Sequence, residues 1–137
     1  MANSTTLYTL PDGRIAVDVS ENKTLAIGDQ GVVQNVITDA IVVTLPATVV
    51  GYDYVVRNGG DNASGTPTRA GADGSMNVTV SPNAVDLIAG MQVTAADDKD
   101  FVNTKTTAKV GDELRVVGNG TTGWNVRQVI GTWAKEA

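Results

Sequence analysis

Apolar and polar positions alternate with a period of two in two stretches of the chain. Ile15, Val17 and Val19 interleave with Arg14, Ala16 and Asp18, and Met76, Val78 and Val80 interleave with Asn77 and Thr79. Successive side chains of a strand point to opposite faces, so this spacing predicts strands that each offer one face to a core. Further short runs, Gly31–Ile37, Ala40–Leu45, Asp53–Arg57, Asp112–Val117 and Trp124–Ile130, are bounded by Gly, Asn, Asp and Pro and read as strands separated by turns. Within them Ala40-Ile41-Val42-Val43-Thr44-Leu45 is apolar at nearly every position, which predicts cover on both faces, from a second sheet or from another subunit. No segment has the periodicity of a long helix. The pattern predicts an all-β fold, a compact antiparallel sandwich or barrel-like domain of short strands.

Three stretches fall outside this pattern. Asn58–Ser75 is rich in Gly, Asp, Asn, Ala and Ser, and has no apolar side chain larger than alanine except that of Pro67; it reads as a long exposed loop. Ala95–Asp100 reads as a polar turn or a single helical turn, and Asp86–Gly90 as another short turn. The first twelve residues are polar and read as an extended arm, so the expected organisation is an arm over 1–12 and a single β domain over 13–137 with the exposed loop at 58–75.

Composition sharpens the picture. Valine and threonine are the most frequent residues, and β-branched side chains suit the pleated surface of a sheet. The 137 residues suit one domain. Acidic residues outnumber basic ones 15 to 10, giving a net charge of −5, and no Lys/Arg cluster provides the positive surface that nucleic acid requires. The N-terminal stretch lacks a basic start followed by an apolar run, and no apolar stretch approaches the roughly 20 residues that span a bilayer. Synthesis in a cytoplasm without classical export is therefore expected, with neither membrane nor nucleic acid as partner.

Candidate chemistry is sparse. The chain has no Cys, hence no disulfide or thiolate chemistry, and no His, the commonest general base near neutral pH and the commonest metal ligand. A Ser–Lys dyad is the nucleophile–base pair left open, but the serines, Ser4, Ser20, Ser64, Ser75 and Ser81, lie mostly in turn-like contexts and read as turn and cap residues. Paired carboxylates hydrolyse glycosides without histidine, yet five of the twelve aspartates adjoin Gly or Asn, as in Asp12-Gly13, Gly28-Asp29 and Gly111-Asp112, where turn geometry accounts for them. Asp97, Asp98 and Asp100 are oxygen donors suited to a hard cation, but the Gly and the distal Glu of a calcium loop are missing, and a solvated turn is the simpler reading. Gly118-Asn119-Gly120-Thr121-Thr122-Gly123 has glycines but no Lys and no helix after it, which makes it a hairpin turn rather than a phosphate loop. No catalytic residue, metal or cofactor is expected, and the chain reads as a structural or binding protein rather than an enzyme.

A longer pattern runs across about two-thirds of the chain: Thr44-Leu45-Pro46-Ala47, Gly51-Tyr52-Asp53-Tyr54-Val55-Val56-Arg57-Asn58, Val78-Thr79-Val80-Ser81-Pro82-Asn83, Asp86-Leu87-Ile88-Ala89-Gly90 and Gly118-Asn119-Gly120-Thr121-Thr122-Gly123-Trp124. It resembles a module of tailed-bacteriophage virion proteins and is similar to small head decoration, or cement, proteins; related β-modules occur in phage tail fibres. The resemblance implies a symmetric homo-oligomer, most often a trimer, that is made in the host cytoplasm and seated on the outer capsid surface, with the major capsid protein as partner. It leaves a receptor- or glycan-binding tail-fibre module as the alternative. Under the capsid reading, contacts to the capsid or between subunits are expected from Leu7, Tyr8 and Leu10 in the arm and from Trp133 near the C-terminus. Tyr8 and Leu10 are equally readable as caps on the chain's own core, and Trp133 as a core residue or as an anchor on a neighbouring subunit.

Overall fold

A computed structural model of the chain describes residues 3–60, 76–90 and 99–136. Most of the loop expected at 58–75, together with Asp97 and Asp98, lies outside the described residues. Twelve strands are described: β1 (Tyr8–Thr9), β2 (Ile15–Val19), β3 (Lys23–Thr24), β4 (Val33–Val36), β5 (Ile41–Thr44), β6 (Asp53–Asn58), β7 (Val78–Ser81), β8 (Leu87–Ala89), β9 (Phe101–Asn103), β10 (Glu113–Gly118), β11 (Gly123–Ile130) and β12 (Trp133–Lys135), with a 3-10 turn at Ile27–Asp29. They form a seven-stranded sheet, in the order β1-β2-β4-β6-β10-β11-β8, and a five-stranded sheet, in the order β12-β9-β7-β5-β3. The two sheets pack face to face, so the chain is an all-β sandwich.

The sheets are mixed, which corrects the expectation of an antiparallel domain. From β2 to β7 the chain alternates between the sheets, and every second strand lands beside its predecessor and runs the same way. In the larger sheet β2 pairs parallel with β4, and β4 with β6; in the smaller, β3 pairs parallel with β5, and β5 with β7. Each coil of chain thus lays one strand on each sheet, as in a three-coil solenoid, and the strand in the opposite sheet serves as the crossover that parallel pairing demands. Later strands close the stack by reversing direction: β9 is antiparallel to β7 and to β12, and β10 is antiparallel to β6 and to β11, while β8 adds to β11 in parallel. Short punctuated strands are compatible with either topology, because the pattern along one strand does not say which sheet the next one joins.

Stacking in register builds the core. Val19 aligns with Val36, and Val43 aligns with Val80, which in turn aligns with Phe101. These residues join Leu25, Leu45, Tyr54, Met76 and Trp124 in one buried cluster between the sheets. The ring centroids of Tyr54 and Trp124 lie 5.5 Å apart at a tilt of 53°, and the Tyr54 hydroxyl donates to the Ala26 carbonyl at 3.0 Å. At one end of the core the sheets are joined by polar side chains: Asn58 Nδ2 donates to Asn103 Oδ1 at 2.8 Å, and Asn103 Nδ2 donates to Asp112 Oδ2 at 2.9 Å. All three are buried, and their mutual bonds offset the desolvation of amide and carboxylate groups.

Candidate functional site

The expected contact residues occupy two separate places. Residues 8–12 lie along the chain's own larger sheet: Tyr8 and Thr9 pair with Ala16 and Ile15, and Leu10 is buried in a small cluster with Ala16 and Val33, against which Tyr8 and Val55 also pack. Asn3 Oδ1 accepts from the backbone of Ser20 and Glu21, while Leu7 is 58% exposed. Trp133 lies on edge strand β12 of the other sheet, half-buried against the main core, with its indole N–H donating to the Ile130 carbonyl at 3.1 Å. The coil stack holds the Tyr8–Leu10 segment and Trp133 at opposite edges of the sandwich, the first beside β2 in the larger sheet and the second beside β9 in the smaller.

Two further features emerge only in three dimensions. The first is the end of the sandwich where the β3–β4, β5–β6, β7–β8 and β10–β11 connections emerge. Segments of the longer sequence pattern interlock there around Thr48, whose Oγ1 donates to the Gly123 carbonyl at 2.5 Å and accepts from the Gly120 amide at 3.1 Å. The Thr48 amide donates to Asp86 Oδ2, Leu87 N–H to the Thr122 carbonyl, and Gly51 N–H to the Gly118 carbonyl. Gly123 has φ +153°, and a Cβ there would fall 2.1 Å from the Leu87 carbonyl oxygen, so this position admits only glycine. The four connections contain no Lys or Arg, and their two carboxylates are already engaged, Asp29 with Lys23 at 3.2 Å and with the Ala26 amide, Asp86 with Thr48. Ile27, Val49, Val50 and Val85 project from this end with exposures of 66, 43, 74 and 73%, four of the seven large apolar side chains left exposed among the described residues.

The second feature is a cleft of about 490 Å³ between residues 8–11 and the outer face of the larger sheet, lined in part by Tyr8, Asp18, Asn35, Ile37, Arg57 and Val110. Register creates its floor, since Asp18 aligns with Asn35 and Asn35 with Arg57 on adjacent strands. The Tyr8 hydroxyl donates to Asp18 Oδ1 at 2.5 Å, Asn35 Nδ2 donates to the Tyr8 oxygen at 2.9 Å, and Arg57 Nη1 donates to Asn35 Oδ1 at 2.7 Å. Gly59 closes against the same amide: a Cβ there would meet the Asn35 side chain at 2.5 Å. Burial, reinforced by the hydrogen bond to Asp18, pushes the Tyr8 phenol up to about 12, so the hydroxyl stays protonated and acts as a donor throughout the neutral range. Nearby, Arg14 forms two hydrogen bonds to the buried Glu113 carboxylate, at 2.5 and 2.8 Å, and a further one to Asp12, which fastens the β1–β2 turn across the sheet.

Chemically, these places offer recognition. The cleft sets a carboxylate, an amide, a phenol and a guanidinium beside apolar walls, and the Thr48 end presents apolar surface. Among the described residues no three Asp or Glu side chains converge as a metal ion would require, and no helix is long and apolar enough to cross a membrane. Sequence reasoning missed Asp18, Asn35 and Arg57, because their alignment arises from unequal coils with no common spacing. Val49-Val50 did leave a signal, two consecutive valines inside a turn bounded by Pro46 and Gly51. No family model and no curated protein matches the chain.

Proposed function

We propose that this chain is a structural virion protein, a cement or decoration protein that seats its apolar end on the outside of an assembled phage capsid and stabilises the shell. The observation that carries the reading is the end built around Thr48, where four connections without Lys or Arg expose Ile27, Val49, Val50 and Val85. Four such side chains form a patch of a few hundred Å² at most, whereas a stable pairwise complex buries about 800 Å² on each partner. Covering each one contributes roughly 1 kcal/mol. That is too little to hold one isolated copy firmly, and it suits many copies bound to a repeating lattice, where modest contacts add and selective binding of the assembled state stabilises it. The virion resemblance supports the same reading, since the segments that carry it meet at this end.

In this reading the major capsid protein is the partner and the copies form a symmetric trimer on the capsid surface. Exposed Leu7, next to β1, and Trp133 on β12 lie at opposite edges, an arrangement that suits a head-to-tail contact closing into a ring. The test is co-sedimentation with capsids assembled from the major capsid protein of the same genome, using the wild-type chain and a Val50→Asp/Val85→Asp variant. The wild type is expected to sediment saturably and to raise the melting temperature of the capsids. The variant is expected to remain in the supernatant while unfolding like the wild type, because both positions are exposed. A wild-type chain that stays in solution, or a variant that binds equally well, overturns the reading. Light scattering on the free protein tests the trimer, and a clean monomeric mass removes that part.

A further inference from the structure

The cleft beneath residues 8–11 has features that the capsid-facing end does not use. Asp18 Oδ1 accepts from both Tyr8 and Asn35, whereas Oδ2 has no hydrogen-bond partner among the described residues. Arg57 commits one nitrogen, Nη1, to Asn35. The carboxylate and the guanidinium line the same cavity but are not paired with each other, because Asn35 lies between them on the intervening strand. The cavity therefore offers acceptor and donor capacity a short distance apart, and the two formal charges cancel. Its remaining walls include Leu10, Pro11, Ile37 and Val110.

We propose that this cleft binds one ring of a neutral saccharide. Its volume, about 490 Å³, falls in the range of small-molecule sites. Adjacent hydroxyls both donate and accept, so they answer Asp18 Oδ2 and the uncommitted Arg57 N–H groups together, and the C–H face of a pyranose packs on the aliphatic walls. An anion meets the Asp18 carboxylate and a cation meets the Arg57 guanidinium, which disfavours both. Desolvated hydrogen-bonding groups left unpaired by a poor ligand supply the discrimination.

This inference is independent of the capsid seat, which is a different surface, and the Val50→Asp/Val85→Asp variant retains saccharide binding. The experiment is a titration of the isotope-labelled full chain, followed by amide NMR, with the methyl glycosides of glucose, galactose and mannose and with N-acetylglucosamine; sodium phosphate and alanine serve as anionic and zwitterionic probes. At least one saccharide is expected to give saturable shifts at Asp18, Asn35, Arg57 and Gly59. Ile37→Trp, which fills the cleft from outside the polar network, is expected to abolish them with the melting temperature retained. Asp18→Asn, which keeps an acceptor for Tyr8, is expected to weaken binding by about tenfold. Absence of saturable shifts with every saccharide, equal or stronger shifts with phosphate or alanine, or binding unaffected by Ile37→Trp each overturns the proposal.

Discussion

Tyr8 shows how one side chain fixes the position of a whole segment. Its ring packs on the Leu10 cluster while its hydroxyl bridges Asp18 and Asn35, so both the apolar and the polar parts of the side chain hold residues 8–11 to the sheet. Tyr8→Phe keeps the packing and removes both hydrogen bonds; a loss of about 1–2 kcal/mol in denaturant unfolding is expected. The pH dependence has a definite sign. Burial and Asp18 raise the phenol from 10.0 to about 12, so the folded state holds its proton more tightly than the unfolded chain does. This contribution is complete below pH 10 and disappears as the pH rises through 12. Alkaline unfolding monitored by tyrosinate absorbance should show this loss in the wild type and a smaller one in Tyr8→Phe.

At the scale of elements, the turns carry more of the architecture than their lengths suggest. The β5–β6 connection is held by Thr48, which bonds to Gly120 and Gly123 at the β10–β11 turn and to Asp86 in the turn before β8. Thr48→Val preserves shape and removes the hydroxyl, leaving Gly120 N–H and the Gly123 carbonyl without that partner. A loss of about 1–2 kcal/mol is expected, together with faster hydrogen exchange at Gly120, because its amide loses its acceptor. The seven strand-like runs read from the sequence correspond to β2, β4, β5, β6, β7, β10 and β11. The five missed strands, β1, β3, β8, β9 and β12, have two or three residues each, too few for alternation to register. The segment 86–90, expected as a turn, contains β8, a strand formed by parallel pairing with β11 rather than by its own pattern.

For the whole molecule, exposed ion pairs set the response to acid. At the end opposite Thr48, Asp39 pairs with Lys105 at 2.9 Å, and the Lys105 hydrogen bond, followed by the Asn77 amide, holds the Asp39 carboxyl below its usual 3.8. Arg14 lowers Asp12 in the same direction. Folded carboxyls with depressed values contribute stability that is complete above the unfolded value and is lost as the pH falls through the folded one. Thermal stability should therefore be flat down to about pH 5 and fall below pH 4, and Asp39→Asn should reduce that acid dependence. The effect is expected to be modest, because the Asp39–Lys105 pair is solvent-exposed and screened.

The sequence by itself determined the fold class and much of the local structure. Val and Thr in runs of alternating or continuous apolar residues have no stable place except in strands with a covered face, and Gly118–Gly123 has no conformation better suited to it than a hairpin turn. It also determined the poverty of nucleophiles and bases, since residues that are absent from the chain cannot be assembled by folding. Only the tertiary structure decided the parallel stacking, because the sheet a strand joins depends on where the preceding coil has placed an open edge. It likewise decided that Asp18, Asn35 and Arg57 form one row beneath Tyr8, and that four separate turns share one apolar end. Both are matters of register between strands distant in sequence, and register is set by the whole packed core rather than by any single segment.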